Sequence, residues 1–104
     1  MTAITETVFL SRDNTNNVTI KSDGVAVDFS SVTRFVMTFE GSTVTADTDT
    51  TAGIITGSSA GVVTCDFGAL ALAGLYEAAL TVYSAGNPNG LQVTLPGSLY
   101  FHFV

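Results

Sequence analysis

Apolar and polar residues alternate along most of this chain in short runs, separated by clusters of Gly, Asn, Asp and Ser. From Tyr76, the residues Tyr76, Ala78, Leu80 and Val82 form one apolar face, and Glu77, Ala79, Thr81 and Tyr83 form a mixed one. A period of two is that of a half-buried strand. The same pattern puts Phe35, Met37 and Phe39 opposite Arg34, Val36, Thr38 and Glu40 within Val32 to Glu40, and puts Val63, Cys65 and Phe67 on one face of Val62 to Phe67. At the carboxyl end Leu99, Phe101 and Phe103 alternate with Tyr100, His102 and Val104. The predicted core is Phe35, Met37, Phe39, Cys65, Phe67, Tyr76, Ala78, Leu80 and Val82.

Between these strands the turn chemistry predicts the remaining elements. Glu6 to Ser11 reads as a first strand, followed by a polar loop, Arg12 to Asn17, whose Asx side chains satisfy turn backbone groups. Val18 to Lys21 and Val25 to Val27 flank Ser22-Asp23-Gly24, and an Asp-Gly pair between alternating runs predicts a tight hairpin. Gly41-Ser42 is the next turn. Thr43 to Thr48 reads as a short strand that dissolves into Asp49 to Gly53, Ile54 to Thr56 as an edge strand and Gly57 to Gly61 as a flexible loop. Leu70, Leu72 and Leu75 leave the periodicity of Gly68 to Gly74 open between a helical turn and a short irregular one, and the short turn is favoured. Asn-Pro and Asn-Gly in Ala85 to Gly90 predict a loop between adjacent antiparallel strands. The last strand runs from Leu91 to Leu95 and resumes from Ser98 to Val104. The intervening Pro96 predicts an edge or bulge, and a switch of sheet.

Composition makes the all-β reading general, since Thr, Val and Phe are abundant and the strong helix formers Glu, Lys and Gln are scarce. With 104 residues there is room for one domain, taken as 1–104. A hydrophobic content of 46% against 12% charged residues excludes a disordered chain, and no apolar run is long enough to span a membrane as a helix. The net charge of -6, with Arg12, Lys21 and Arg34 the only basic residues, opposes binding to a phosphate backbone. Cys65 is single, so no intrachain disulfide is expected, and the start Met-Thr-Ala-Ile-Thr-Glu lacks the features of a secretory signal, which points to synthesis in a cytoplasm. So little charge beside so much apolar sequence predicts that partners cover much of the surface.

Few residues invite chemistry. Asp47 and Asp49, with Asp66 elsewhere, contain the Asp-x-Asp fragment of calcium loops but lack the spacing and terminal glutamate of an EF-hand, so a solvated acidic loop is expected and no metal. His102 stands alone among strand aromatics and is expected to be structural or interfacial. Cys65 is expected to pack as a small apolar residue. No Gly-x-Ser-x-Gly elbow, phosphate-binding Gly-Lys-Ser/Thr loop, paired-cysteine motif or acid–base pair is present, so neither enzyme activity nor a cofactor is expected. Tyr83 and Tyr100 fit an aromatic platform for sugar and fit cross-strand packing equally.

Leu70 and Gly74 upstream of Tyr76 resemble the tyrosine corner of immunoglobulin-like sandwiches, in which the phenol hydroxyl bonds to backbone a few residues before it. Gly24 to Arg34, the Asp47-Thr48-Asp49 loop, and Ala73 to Tyr76 followed by Leu80 to Tyr83 together resemble small immunoglobulin-like accessory proteins of tailed-phage virions. The first half is also similar to the amino-terminal sandwich of phage upper-baseplate proteins. The resemblance implies an immunoglobulin-like antiparallel β-sandwich of about seven to nine strands. It also implies a non-enzymatic virion role: a capsid-decoration or cement subunit, or alternatively a tail or baseplate accessory subunit. A carbohydrate-binding sandwich is the alternative from another class. The partners implied are phage capsid or tail proteins and further copies of the chain, with neither nucleic acid nor membrane. The implied location is the virion, after synthesis in the host cytoplasm. No catalytic residue is carried over.

Overall fold

The computed structural model describes residues 3–104. They form β1 (Ile4–Val8), β2 (Asn16–Thr19), β3 (Lys21–Ser22), β4 (Val25–Ala26), β5 (Arg34–Phe39), β6 (Thr45–Asp47), β7 (Ile55–Gly57), β8 (Val62–Cys65), β9 (Gly74–Ser84), β10 (Asn87–Gln92) and β11 (Leu99–Phe103). The chain is all-β. One sheet has the order β1-β11-β9-β5-β6, with β10 also paired to β9. A second sheet has the order β2-β8-β7, and β3-β4 is a separate hairpin. Pairing is antiparallel except between β1 and β11, which run parallel from Ile4↔Leu99 to Val8↔Phe103, so the expectation of a wholly antiparallel fold is corrected at that edge.

The alternation of the sequence is what buries the core. Phe35, Met37 and Phe39 from β5, Ala78, Leu80 and Val82 from β9, and Leu99, Phe101 and Phe103 from β11 meet Val18, Val63 and Cys65 from the smaller sheet, and Phe67 just beyond β8, in one cluster. Phe39 is its aromatic hub, with ring centroids 5.6 Å from Phe67, 6.1 Å from Phe101 and 5.5 Å from Phe103, all close to edge-to-face. That geometry places positive ring edges on negative faces. The two sheets are thus layered over a common core in a β-sandwich-like arrangement. Tyr76 is half-buried, its ring edge-on to Phe39 and Phe103.

Turn chemistry fixes the hairpin as expected. Lys21↔Ala26 and Ser22↔Val25 pair around Asp23 (φ 51°) and Gly24 (φ 78°), two consecutive left-handed residues of the kind that match strand twist. Other expectations are corrected. The first strand ends at Val8, not Ser11, because Asn14 donates from Nδ2 to the carbonyls of Phe9 and Arg12 and folds that segment into a loop. Ala85 to Gly90 does join adjacent antiparallel strands as expected, but the loop is shorter: the chain turns at Ala85-Gly86, and β10 starts at Asn87 with a bulge before Leu91. Nor does Pro96 switch sheets, since β10 and β11 both pair with β9. Strand segments number eleven among the described residues, more than the expected range, because Pro96 splits one strand and the hairpin adds two.

Candidate functional site

Arg34 organises the most polar group of side chains. It projects from β5 on the outer face of the larger sheet, opposite Tyr83 of β9, with its guanidinium carbon 4.9 Å from the Tyr83 ring centre. Its Nε donates to Asp47 Oδ1 at 3.0 Å and its Nη2 to Oδ2 at 2.6 Å, a bidentate fork, and Asp49 Oδ2 lies 3.3 Å from Nε. Thr48 sets this up by continuing the β5–β6 ladder. Its hydroxyl accepts from Phe35 N–H and its N–H donates to the Phe35 carbonyl, leaving Asp47 and Asp49 on either side. The Arg34 hydrogen bond, helped by the Asp49 N–H, holds the Asp47 carboxyl below the usual carboxylate range against a smaller opposing effect of burial. Arg34 is pushed above its own ordinary value chiefly by the same bond.

The acidic loop is therefore built around the single positive charge of an arginine, which corrects the expectation of a solvated loop at Asp47 while Asp49 stays largely exposed. Asp66 is on the wall of a separate pocket of about 270 Å³, beside Ser11, Arg12 and Asp13. Cys65 is fully buried opposite Asn16. Burial, with a smaller contribution from the Glu6 carboxylate, pushes its thiol up to about 12, so the thiolate needed of a nucleophile is suppressed. Tyr83 and Tyr100 share the outer face but not a site. Tyr100 is opposite Glu77, six residues along β9 from Tyr83, a separation of roughly 20 Å at strand rise. They do not form one sugar platform.

His102 is exposed between Thr7 of β1 and Leu75 of β9. Tyr76 follows the Leu70–Gly74 turn as expected, but that turn is closed by backbone bonds from Leu70 N to Phe67 O and from Leu72 N to Leu70 O. Among the described residues no hydrogen bond joins the Tyr76 hydroxyl to it.

Sequence reasoning missed a wide concavity. An open side of the molecule holds a cleft of about 820 Å³ between the β2–β3 segment and the Leu91–Leu99 segment, lined by Ile4, Val18, Ile20, Leu91, Val93 and Leu95 among others. Ile4, Leu91 and Leu95 are exposed there. Ile20 donates to the Gly61 carbonyl and accepts from Val27 N–H, so by strand alternation the backbone groups of Thr19 and Lys21 face the other way, along the free edge. The signal available beforehand was Pro96, which marks where the strand lifts off the sheet. Comparison with protein-family models, curated proteins and solved structures returns no match for this chain.

Proposed function

We propose that this protein is a non-enzymatic assembly module, an immunoglobulin-like sandwich that occupies repeated surface sites on a tailed-phage virion as a capsid-decoration or cement subunit. Its partners are capsid or tail proteins together with other copies of the chain, and its working location is the particle. The observation that carries an assembly role is the placement of six of the seven exposed large apolar residues among the described ones, Val25 of the hairpin being the exception. Ile4, Leu91 and Leu95 border the open cleft, and Phe9, Leu75 and Val104 lie toward one end of the larger sheet. Exposed apolar surface gathered in patches is the mark of a protein that is covered in its working state.

The strand order supports the immunoglobulin-like part of the reading. β2, β8 and β7 correspond to strands B, E and D of such a sandwich. β5, β9 and the interrupted β10–β11 correspond to C, F and G, and β6 adds at the position of C′. A subunit that binds only the assembled lattice stabilises it by mass action, and many modest contacts add through multivalency. Quantifying the protein in purified particles tests the proposal. On the order of hundreds of copies spread over the head supports decoration, whereas a few symmetry-related copies confined to the tail supports the accessory tail or baseplate reading. Absence from particles rejects both.

A further inference from the structure

We propose that the outer face formed by β1, β11 and the first half of β9 docks a protein surface that is apolar at its centre and cationic along one side. The inference rests on the assembly reading and supplies that reading with a binding face and a partner chemistry. Two rungs of the sheet define the face. Thr7, His102 and Leu75 are in register across β1, β11 and β9, and Thr5, Tyr100 and Glu77 form the next rung. Beyond the first, Val104 continues the register beside Phe9, its N–H donating to the Val8 carbonyl while Leu10 N–H donates to its own. Alternation turns Phe9 and Val104 to the same side as His102. Phe9, Leu75 and Val104 are 55%, 60% and 50% exposed, so three large apolar side chains on one flat face remain in water.

Charge decides what covers them. Glu40 N–H donates to the Glu77 carbonyl, so the β5–β9 register continues one step past Phe39↔Ala78 and sets Glu40 directly opposite Glu77. Like charges directly opposed across a strand pair destabilise it. Gly97 N–H donates to Glu77 Oε2 at 2.9 Å and holds that carboxylate in place. Among the described residues none of the three Lys and Arg side chains relieves the pair: Arg34 is occupied by Asp47 and Asp49 toward the far end of β5, Arg12 is in the loop after β1, and Lys21 belongs to the hairpin, while His102 shares the face but stands in the next rung, opposite Leu75. A second copy docking through the same face would bring two more carboxylates and, among the described residues, no lysine or arginine to meet them. A partner with Lys or Arg opposite Glu40 and Glu77, flanked by apolar side chains over Leu75, Phe9 and Val104, gives both carboxylates a counter-charge and buries the apolar trio together.

The full-length protein is titrated with a blocked peptide of alternating leucine and arginine and followed by amide chemical shifts, with a leucine–glutamate peptide as control. Saturable shifts confined to β1, β11, the start of β9 and Glu40 are expected for the cationic peptide only. The Glu40→Gln/Glu77→Gln variant should raise the half-saturation concentration about fivefold or more, as should Leu75→Ser. Asp28→Asn/Asp66→Asn, which removes the same charge elsewhere, should change it less than about twofold. Glutamine at position 77 keeps an acceptor for Gly97, and the amide spectrum of each free variant reports its fold. Absence of saturable binding, shifts centred on the Leu91–Leu95 cleft, or equal weakening by the Asp28/Asp66 variant would overturn the proposal. Failure here with the protein abundant in particles rejects this face alone, whereas binding here with the protein absent from particles rejects the virion role alone.

Discussion

Phe39 and Tyr76 occupy adjacent places in the core and differ in what each contributes. Phe39 is almost fully buried among Phe67, Phe101 and Phe103. Truncating such a ring costs roughly 3–5 kcal/mol in lost transfer energy and cavity, a large share of the stability of an ordinary domain. Tyr76 contributes its ring, and its hydroxyl forms no bond to the preceding turn. Urea unfolding should therefore show Phe39→Ala losing about 3 kcal/mol or more, with Tyr76→Phe within about 0.5 kcal/mol of the parent. A loss near 1 kcal/mol in Tyr76→Phe would mean that the hydroxyl does close a tyrosine corner with the Leu70–Gly74 turn. Alternation placed both rings correctly in advance. A hydrogen bond over several residues depends on the path of the turn, which periodicity does not encode.

At the scale of elements, the interruption between β10 and β11 is held by a residue whose type gave no warning. Val93 N–H donates to the Leu80 carbonyl, and the Leu80 N–H is taken by the Thr94 hydroxyl at 3.1 Å, so a side chain completes the β9 ladder where the neighbouring strand departs. Thr94 is accordingly buried although polar. Thr94→Val keeps the shape and removes the acceptor, stranding a buried amide at a cost of about 1–3 kcal/mol. Thr94→Ser should retain most of the parent stability, and equal midpoints for the two variants in chemical denaturation would contradict this role.

The neighbouring bulge has a similar origin. Gly90 sits at φ 89°, where an added Cβ would approach Thr81 Cγ2 to 2.8 Å and the Tyr83 ring to 2.9 Å. The Asn-Gly pair that signals a turn is thus spent on a bulge beneath Tyr83, and the turn itself falls at Ala85-Gly86.

For the whole molecule, acid sensitivity follows from where the carboxylates find partners. Asp47 is held low by Arg34, and Asp28 by the hydroxyl and N–H of Ser30. A carboxyl with a depressed folded-state pKa contributes stability that is fully present above its unfolded value, near 4, and is lost as pH falls through its folded value. The urea midpoint should stay level with respect to these two groups from neutrality to about pH 5 and then fall on further acidification. Asp47→Asn should start lower and fall less steeply. An unchanged acid slope in that variant would remove the Arg34–Asp47 pair as a contributor.

The sequence by itself determined the all-β class, the inward faces of β5, β8 and β9, and the Asp-Gly hairpin. Each depends on alternation within one strand or on the φ preference of one dipeptide, and both are local. Only the tertiary structure decided that Arg34 closes on Asp47 thirteen residues away, that Tyr83 and Tyr100 stand apart, that β1 joins the sheet in parallel, and that Glu40 meets Glu77. These are properties of the direction and register in which separate strands pair. A shift of one residue would turn every one of those side chains to the other face without altering the pattern along any strand.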